Sequence, residues 1–283
     1  MESLLCSASA TTTIERSLCP LFGYYGMNAI IGQPPDGTQS VQRVLSLLRI
    51  IALHNRGGLR IVDLCRLTAL RRPTLHRLVK CLELEGYVVR NPKTRSYHLG
   101  AMIHELGISA APPVRLGDLC RIHLRSIADA TGDLVFLTQR SRWDAVCIDK
   151  QEGKHWVRTF TLDIGTRRPL GVGAGSLAIL SALPPSEMRT AIEVNEQPLR
   201  EFEQLTPSRL RSLVRETQTR GFAVHDGLHS GARAIGFAIH DECGESVAAI
   251  SISANRKRLP ESRWPELSEL LHKTTLRIQR EFP

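Results

Sequence analysis

Arg72, Thr74, His76, Arg77 and Lys80 recur at spacings that place them along the outward side of one helix, with Leu75, Leu78, Val79 and Leu82 turned inward. Guanidinium groups donate in pairs to guanine edges and to phosphates, and hydroxyl and imidazole groups read other base edges. This set therefore has the chemistry of nucleic-acid recognition. Spacing assigns Arg72, Thr74, His76 and Arg77 to base edges, and Lys80, a turn or more further on, to a phosphate. Lys93 and Arg95 stand in a later turn, where extended cations also suit phosphates. Arg60 and Arg71 are counted with the same DNA-binding set. The charge balance agrees. Ser40–Gly100 holds 12 Lys and Arg against 3 acids, a net charge of +9. The whole chain has 37 against 28, also +9, so everything outside this stretch sums to zero. Basic charge concentrated on one small module points to a polyanionic partner.

The elements that must position these residues follow from periodicity. Val41, Val44, Leu45, Leu48, Ile51 and Ala52 share one helical face, Ser40 stands at the N-cap position, and Asn55-Arg56-Gly57-Gly58 ends the run near His54. A second helix spans about Ile61 to Thr68, with Ile61, Leu64, Cys65 and Thr68 inward. After the short turn Ala69-Leu70-Arg71, a third begins near Arg72 with Pro73 in its first turn, where a missing N–H costs nothing. Two such helices across a tight turn predict a helix-turn-helix whose second helix enters the major groove. Tyr87–Arg90, the turn Asn91–Arg95 and Ser96–Leu99 then predict the hairpin of a wing.

The 283 residues are 42% hydrophobic and 23% charged, ordinary for a globular protein, and no run is long and apolar enough to span a bilayer. The seven cysteines lack zinc-ligand spacing and read as reduced thiols, so no metal, no cofactor, no membrane and a cytoplasmic location are expected. Residues 1–38 lack periodicity and a signal-peptide pattern, and are expected to form a flexible extension; Met27 is an alternative start. The chain then divides into a DNA-binding domain over 39–100, a linker helix and hinge over 101–113 around Pro112-Pro113, and a second domain over 114–283. In that domain Val114–Thr131 reads as a helix with Leu116, Leu119, Ile122, His123 and Ile127 inward. Strands are expected at Leu134–Gln139, Ala145–Asp149, Val157–Phe160, Phe222–His225, Ala232–His240 and Val247–Ser253. Helices are expected from the Gly171–Ser176 segment through Leu183, at Ser186–Val194, at Pro207–Arg220 and at Trp264–Arg280, with Pro184-Pro185 as a stop. The pattern is that of an α+β fold, an antiparallel sheet with helices on its faces.

SVQRVLSLL, PTLHRLVKCLELEGYV and YHLG resemble the N-terminal domain of the isocitrate-lyase-regulator (IclR) family of bacterial transcription factors. The resemblance continues through GTRRPLGVGAGSLAILSALP, GFAVHDGLHSGARAIGFAIHD and VAAISISANRKRL, and covers roughly Ser40–Arg280. It implies a winged helix-turn-helix followed by a GAF-like α/β effector-binding domain. It also implies a double-stranded operator, a homo-oligomer built as a dimer or a dimer of dimers, and a small organic acid effector controlling a catabolic operon. RNA polymerase is a further candidate partner. Residue by residue, Val157 and Phe160 match apolar wall positions of the family pocket, and Ala174 and Gly175 match backbone donors at a helix start. Ser251 and Ser253 match its paired serines, and their alternation along a strand turns both hydroxyls to one face. An acidic position of the pattern is His225 here, with Asp226 beside it, and a cysteine position is Ala234. Those departures argue against the very small oxo-acid of the founding member and for an aromatic or short aliphatic carboxylate.

Two other function classes compete. A hydrolase would use Ser176, but Gly-Ala-Gly-Ser-Leu-Ala lacks the second glycine of the nucleophile elbow, and no Asp/His pair has the expected context. A ligand-independent DNA-binding protein would have a collapsed second domain. Neither accounts for the motifs of both halves, and no enzymatic activity is expected.

Overall fold

The computed structural model describes residues 37–110, 116–155, 162–202, 205–226 and 231–281. The chain divides into two compact units between Ile108 and Ser109. The first contains α1 (Gln39–Leu53), α2 (Ile61–Thr68), α3 (Arg72–Leu84), β1 (Val88–Arg90), β2 (Tyr97–Leu99) and most of α4 (Ala101–Ala110). Its core gathers Leu47 and Ile51 from α1, Leu64 from α2, Leu75, Val79 and Leu82 from α3, and Val88 and Tyr97 from the wing.

The face that α1 buries differs from the expected one. Ser46, Leu47, Ile50 and Ile51 are buried, whereas Val41 is 59% exposed and Leu45 and Ala52 also face outward. Apolar residues surround most of this helix, so its periodicity fits two faces, and packing on α2 and β2 decides between them. Ser40 lies inside the first turn, and Thr38 takes the N-cap position. The turn after α2 is closed by Thr68, whose buried hydroxyl donates to the Leu64 carbonyl at 2.7 Å and accepts from the Leu70 N–H at 3.3 Å. Ala69 reverses the chain there in the left-handed region, with φ of 52°.

The second unit holds α5 (Leu116–Thr131), β3 (Leu134–Ser141), β4 (Asp144–Glu152), β5 (Arg167–Pro169), α6 (Ala174–Ala182), α7 (Pro185–Val194), α8 (Glu196–Leu199), α9 (Pro207–Arg220), β6 (Ala223–Asp226), β7 (Ala232–His240), β8 (Ser246–Asn255) and α10 (Trp264–Glu281). Its strands form one sheet in the order β5-β4-β3-β8-β7-β6, antiparallel throughout. Strand alternation sorts the side chains. Val135, Leu137, Ile250 and Ile252 pack against α5 and α10, while the opposite face receives α6, with α7 and α9 behind it.

Several elements depart from expectation. Ile122 is 74% exposed, because the buried stripe of α5 runs through Leu116, Cys120, Leu124, Ile127 and Ala128, on the other side of the helix. Pro185 does not merely end α6; it opens α7, where its missing N–H is harmless. The edge strand β5 and the single turn α8 have no period long enough to announce them. The expected strand Val157–Phe160 and the hinge at Pro112-Pro113 lie outside the described residues. Among the described residues no helix is long and apolar enough to cross a membrane.

Candidate nucleic-acid interface and effector cavity

The first unit presents its cations outward. Arg72, His76, Arg77 and Lys80 are exposed on α3, and Thr74 is half-buried beside them. The inward positions of the same helix, Leu75, Val79 and Leu82, are buried, so the outward side chains can be exchanged without opening the core. Pro73 occupies the first turn, and no acidic side chain stands there. The positive end of the helix dipole therefore adds to Arg71 and Arg72. Arg71 and Arg60 are exposed at the N-caps of α3 and α2, and the Arg60 backbone N–H donates to the Asp63 carboxylate at 3.2 Å. Lys80 is partly engaged, with Glu83 3.4 Å away.

Lys93 and Arg95 are exposed at the tip between β1 and β2. The Asn91 carboxamide shapes that tip by accepting from the N–H groups of Lys93 at 2.9 Å and Thr94 at 3.2 Å. Sequence reasoning misses the residues that hold the wing in place. His98 sits 2.8 Å from the Asn55 carbonyl through Nδ1 and 2.9 Å from Ser96 Oγ through Nε2. The Asn55 side chain in turn accepts from the Leu99 N–H at 2.8 Å. By sequence Asn55 reads only as a helix breaker, and nothing in local spacing links it to a histidine forty-three positions later.

In the second unit a cavity lies between the sheet and the start of α6, with about 90 Å³ of room for the centres of water-sized molecules. Ala174, Gly175, His225, Ala234, Ser251 and Ser253 all line it. Asp226 stands outside that lining; Arg233 and Arg256 take its exposed carboxylate and hold it below the usual carboxylate range. Val157 and Phe160 lie outside the described residues. The strand register explains the arrangement. Ser253 pairs with Ala234 and Ala234 with His225, so the small alanine leaves space between hydroxyl and imidazole. A Cβ at Gly175 would lie 3.1 Å from Thr138 Oγ1 and 3.3 Å from Ser251 Oγ, and one at Gly236 would lie 2.5 Å from the Ala174 carbonyl oxygen. The backbone clash at Gly236 means that a side chain there would push the helix start off the sheet, and at Gly175 one would crowd the two hydroxyls.

Arg168, Thr138, Thr166 and Cys147 also line the cavity, and sequence reasoning does not anticipate them. The only signal for Arg168 is its place beside Pro169, on a strand too short to read. Arg168 and His225 belong to the two edge strands, β5 and β6, yet face one cavity. His225 is 5% exposed, and its Nε2 has no partner among the described residues. Burial pushes its pKa down to about 4, the charges of Arg168 and Arg209 add to that, and Asp226 opposes it. The ring is therefore neutral at pH 7. Burial pushes the Cys147 thiol up to about 12, which leaves it a neutral wall group. Ser176 Oγ accepts from the Gly171 N–H at 2.9 Å and donates to the Pro169 carbonyl at 3.2 Å. Its hydroxyl clasps the turn before α6 and is not poised as a nucleophile.

Comparison with known proteins agrees with this architecture. Residues 40–92 match the IclR helix-turn-helix domain, and residues 113–280 match the family described as bacterial transcriptional regulator IclR C-terminal. The HTH-type transcriptional regulator KipR of Bacillus subtilis (strain 168) is 29% identical over 246 residues, 86% of this chain and 97% of KipR. The transcriptional repressor IclR of Escherichia coli (strain K12) is 27% identical over 257 residues, 88% of this chain and 92% of the repressor. The fold is shared with a crystal structure of an IclR homolog from Microbacterium hydrocarbonoxydans complexed with 4-hydroxybenzoate, at a TM-score of 0.64 and 19% identity, covering 83% of this chain and 97% of that one. With its helix-turn-helix and its C-terminal domain both matched in order, this chain belongs to the IclR family of bacterial transcriptional regulators.

Proposed function

We propose that the protein binds an operator through α3 and the wing, and that a small carboxylate in the second-unit cavity switches that binding. The observation that carries the effector reading is the composition of the cavity wall. Its described lining contains the start of α6, the hydroxyls of Thr138, Ser251 and Ser253, and the Arg168 cation, but no carboxylate. Such a wall attracts an anion and offers it directed donors. Phe136, Leu162 and Val172 supply apolar surface for the rest of the molecule, and Ala234 leaves room where a larger side chain would fill the space. An aromatic or short aliphatic acid fits this combination, and the 4-hydroxybenzoate bound by the Microbacterium relative is of that class. Control of a catabolic operon whose substrate or intermediate is the acid follows from the same reading.

An operator long enough to be specific needs at least two winged helices, which calls for a homodimer or a dimer of dimers. Val41 and Leu45 on α1, and Leu106 and Ile108 on α4, are apolar and exposed, and they supply surface for a second copy. The deciding experiment titrates the full-length protein with benzoate, 4-hydroxybenzoate and butyrate by calorimetry, then repeats the operator gel shift at saturation. Binding of one of these acids with a changed operator affinity supports the reading. Absence of binding across the panel, with operator binding intact, would leave a DNA-binding protein without this effector class.

A further inference from the structure

A second cavity lies along α6 beyond the helix start that roofs the first. It is bounded by α6, α9 and the strands β6 and β7, with about 170 Å³ of room for the centres of water-sized molecules. Ala178, Ala223, Ala238 and the ring of Phe222 make most of its wall apolar. Four polar side chains interrupt that wall: Gln218, His240, Ser181 on α6 and Thr217 on α9, with Ser181 and Thr217 at 8% and 6% exposure. The Gln218 side chain is engaged, donating to the Ser181 carbonyl at 3.0 Å. Neither hydroxyl has a hydrogen-bond partner among the described residues. Elsewhere in the protein, Thr68, Thr131 and Thr274 return their buried hydroxyl protons to the carbonyl one turn earlier. Ser181 and Thr217 do not, although both sit in helices where that bond is available. A buried unsatisfied hydroxyl is costly, and two at one cavity indicate a partner that the chain itself does not supply.

We propose that this cavity is a second small-molecule site, which takes a neutral, mostly apolar molecule of about one aromatic ring carrying a hydroxyl. The class follows from the wall. No Lys, Arg, Asp or Glu lines the cavity among the described residues, so a carboxylate would lose its hydration and find no group but the His240 imidazole that could carry a positive charge. A ligand hydroxyl can donate to one of Ser181 and Thr217 and accept from the other, once their side-chain rotors turn toward it. The first cavity differs in holding Arg168 and the start of a helix. Both cavities share α6, whose first residues rest on Gly236, and Gly236 also lines the second cavity. A molecule wedged against Ala178 and Ser181 therefore presses on the same short helix that roofs the first. Coupling between the two rests on the effector reading given above; binding at the second cavity does not.

The test titrates the full-length protein with phenol by calorimetry and ligand-observed NMR, with benzoate as the charged control. Saturable binding of one phenol per chain, not displaced by benzoate, is expected. Ala238→Leu should fill the cavity and abolish phenol binding. Thr217→Val keeps the shape and removes one orphaned hydroxyl, so it should weaken phenol roughly tenfold and raise the melting temperature of the free protein. If Ala238→Leu does not fold, Thr217→Val decides alone. Ser251→Ala/Ser253→Ala should leave phenol binding unchanged. Loss of phenol binding in that double variant would place phenol in the first cavity and overturn the proposal. So would the absence of saturable binding, or an Ala238→Leu variant that changes the oligomeric mass and not the phenol affinity. Failure of every carboxylate to bind, with phenol still bound, would defeat the effector reading and leave the second site standing.

Discussion

The two units of this protein solve opposite problems. The first turns its chemistry outward on long charged side chains, and its core serves only to hold a helix and a hairpin at fixed angles. The second turns its chemistry inward, on alanine, glycine and serine, around a space. In the first unit the outward side chains of α3 barely touch the core, since Arg72 and Arg77 are exposed while Leu75 and Val79 on the same helix are buried. In the second unit site and core share the same strands, since Ser251 faces the cavity while Ile250 and Ile252 beside it pack against the helices behind the sheet. Function can therefore be removed from the first unit without loss of stability, whereas in the second the two are tied.

The largest effect should come from breaking the outward face. Arg72→Ala/Arg77→Ala is expected to cost about 1–3 kcal/mol of operator affinity per arginine that reads a guanine. The melting temperature and the affinity for an acid effector should not change. A gel shift with unchanged operator affinity would remove α3 from the role of recognition helix. A large fall in melting temperature would instead show that the separation of site from core is not real in this unit.

The second unit should show the converse tie through His225. Its neutral form is favoured by the fold, so between its folded pKa of about 4 and the ordinary 6.5 the unfolded chain binds more protons. Stability is therefore complete above pH 6.5 and falls as the pH drops through that window, by about 3 kcal/mol at most. His225→Gln removes the titration. Denaturant unfolding of the variant at pH 7 and pH 4.5 should show a smaller acid loss than the parent. Equal losses in the two proteins would mean that the ring is not held neutral by its site.

Legibility in the sequence follows the same division. Exposure is the default for arginine and lysine, so the outward set on α3 and at the wing is visible as a pattern of residue types. The Ala174–Gly175 start, Ser251 and Ser253 are reached through the family resemblance, because small residues on strands usually signal close packing and only rarely a cavity. Arg168 stays hidden, because nothing local says that the two edges of a six-stranded sheet face one space. The α1 face and Ile122 mislead for a different reason. Helices rich in apolar residues on several sides admit more than one buried face, and the choice belongs to tertiary packing that periodicity does not encode.

A smaller effect is expected from Ser251→Ala/Ser253→Ala. The hydroxyls are buried at the cavity wall, and their loss removes donors and little volume. Calorimetry with whichever carboxylate binds should show a loss of about 1–2 kcal/mol in total, with operator affinity in the free state unchanged. Wild-type affinity in the double variant would move the anion's partners to Arg168 and the helix start alone. Arg168→Gln would then be the decisive variant.

The smallest change in specificity, and the finest test of the outward unit, lies at the wing tip. Lys93 and Arg95 are exposed on a hairpin that Asn91 shapes and that His98 and Asn55 fasten to the body of the unit, so their cations are held at a fixed place without being buried. Cations of this kind neutralise phosphates and release condensed counterions without reading bases. Lys93→Ala/Arg95→Ala should weaken operator and non-operator DNA by the same factor. The slope of log affinity against log salt should become shallower by roughly one for each phosphate that is no longer neutralised. The ratio of operator to non-operator affinity should stay constant, in contrast to the α3 double variant, where that ratio should collapse. A wing variant that lost discrimination while keeping its salt slope would mean that the tip reads bases, and that recognition is shared between the two elements and not concentrated on α3.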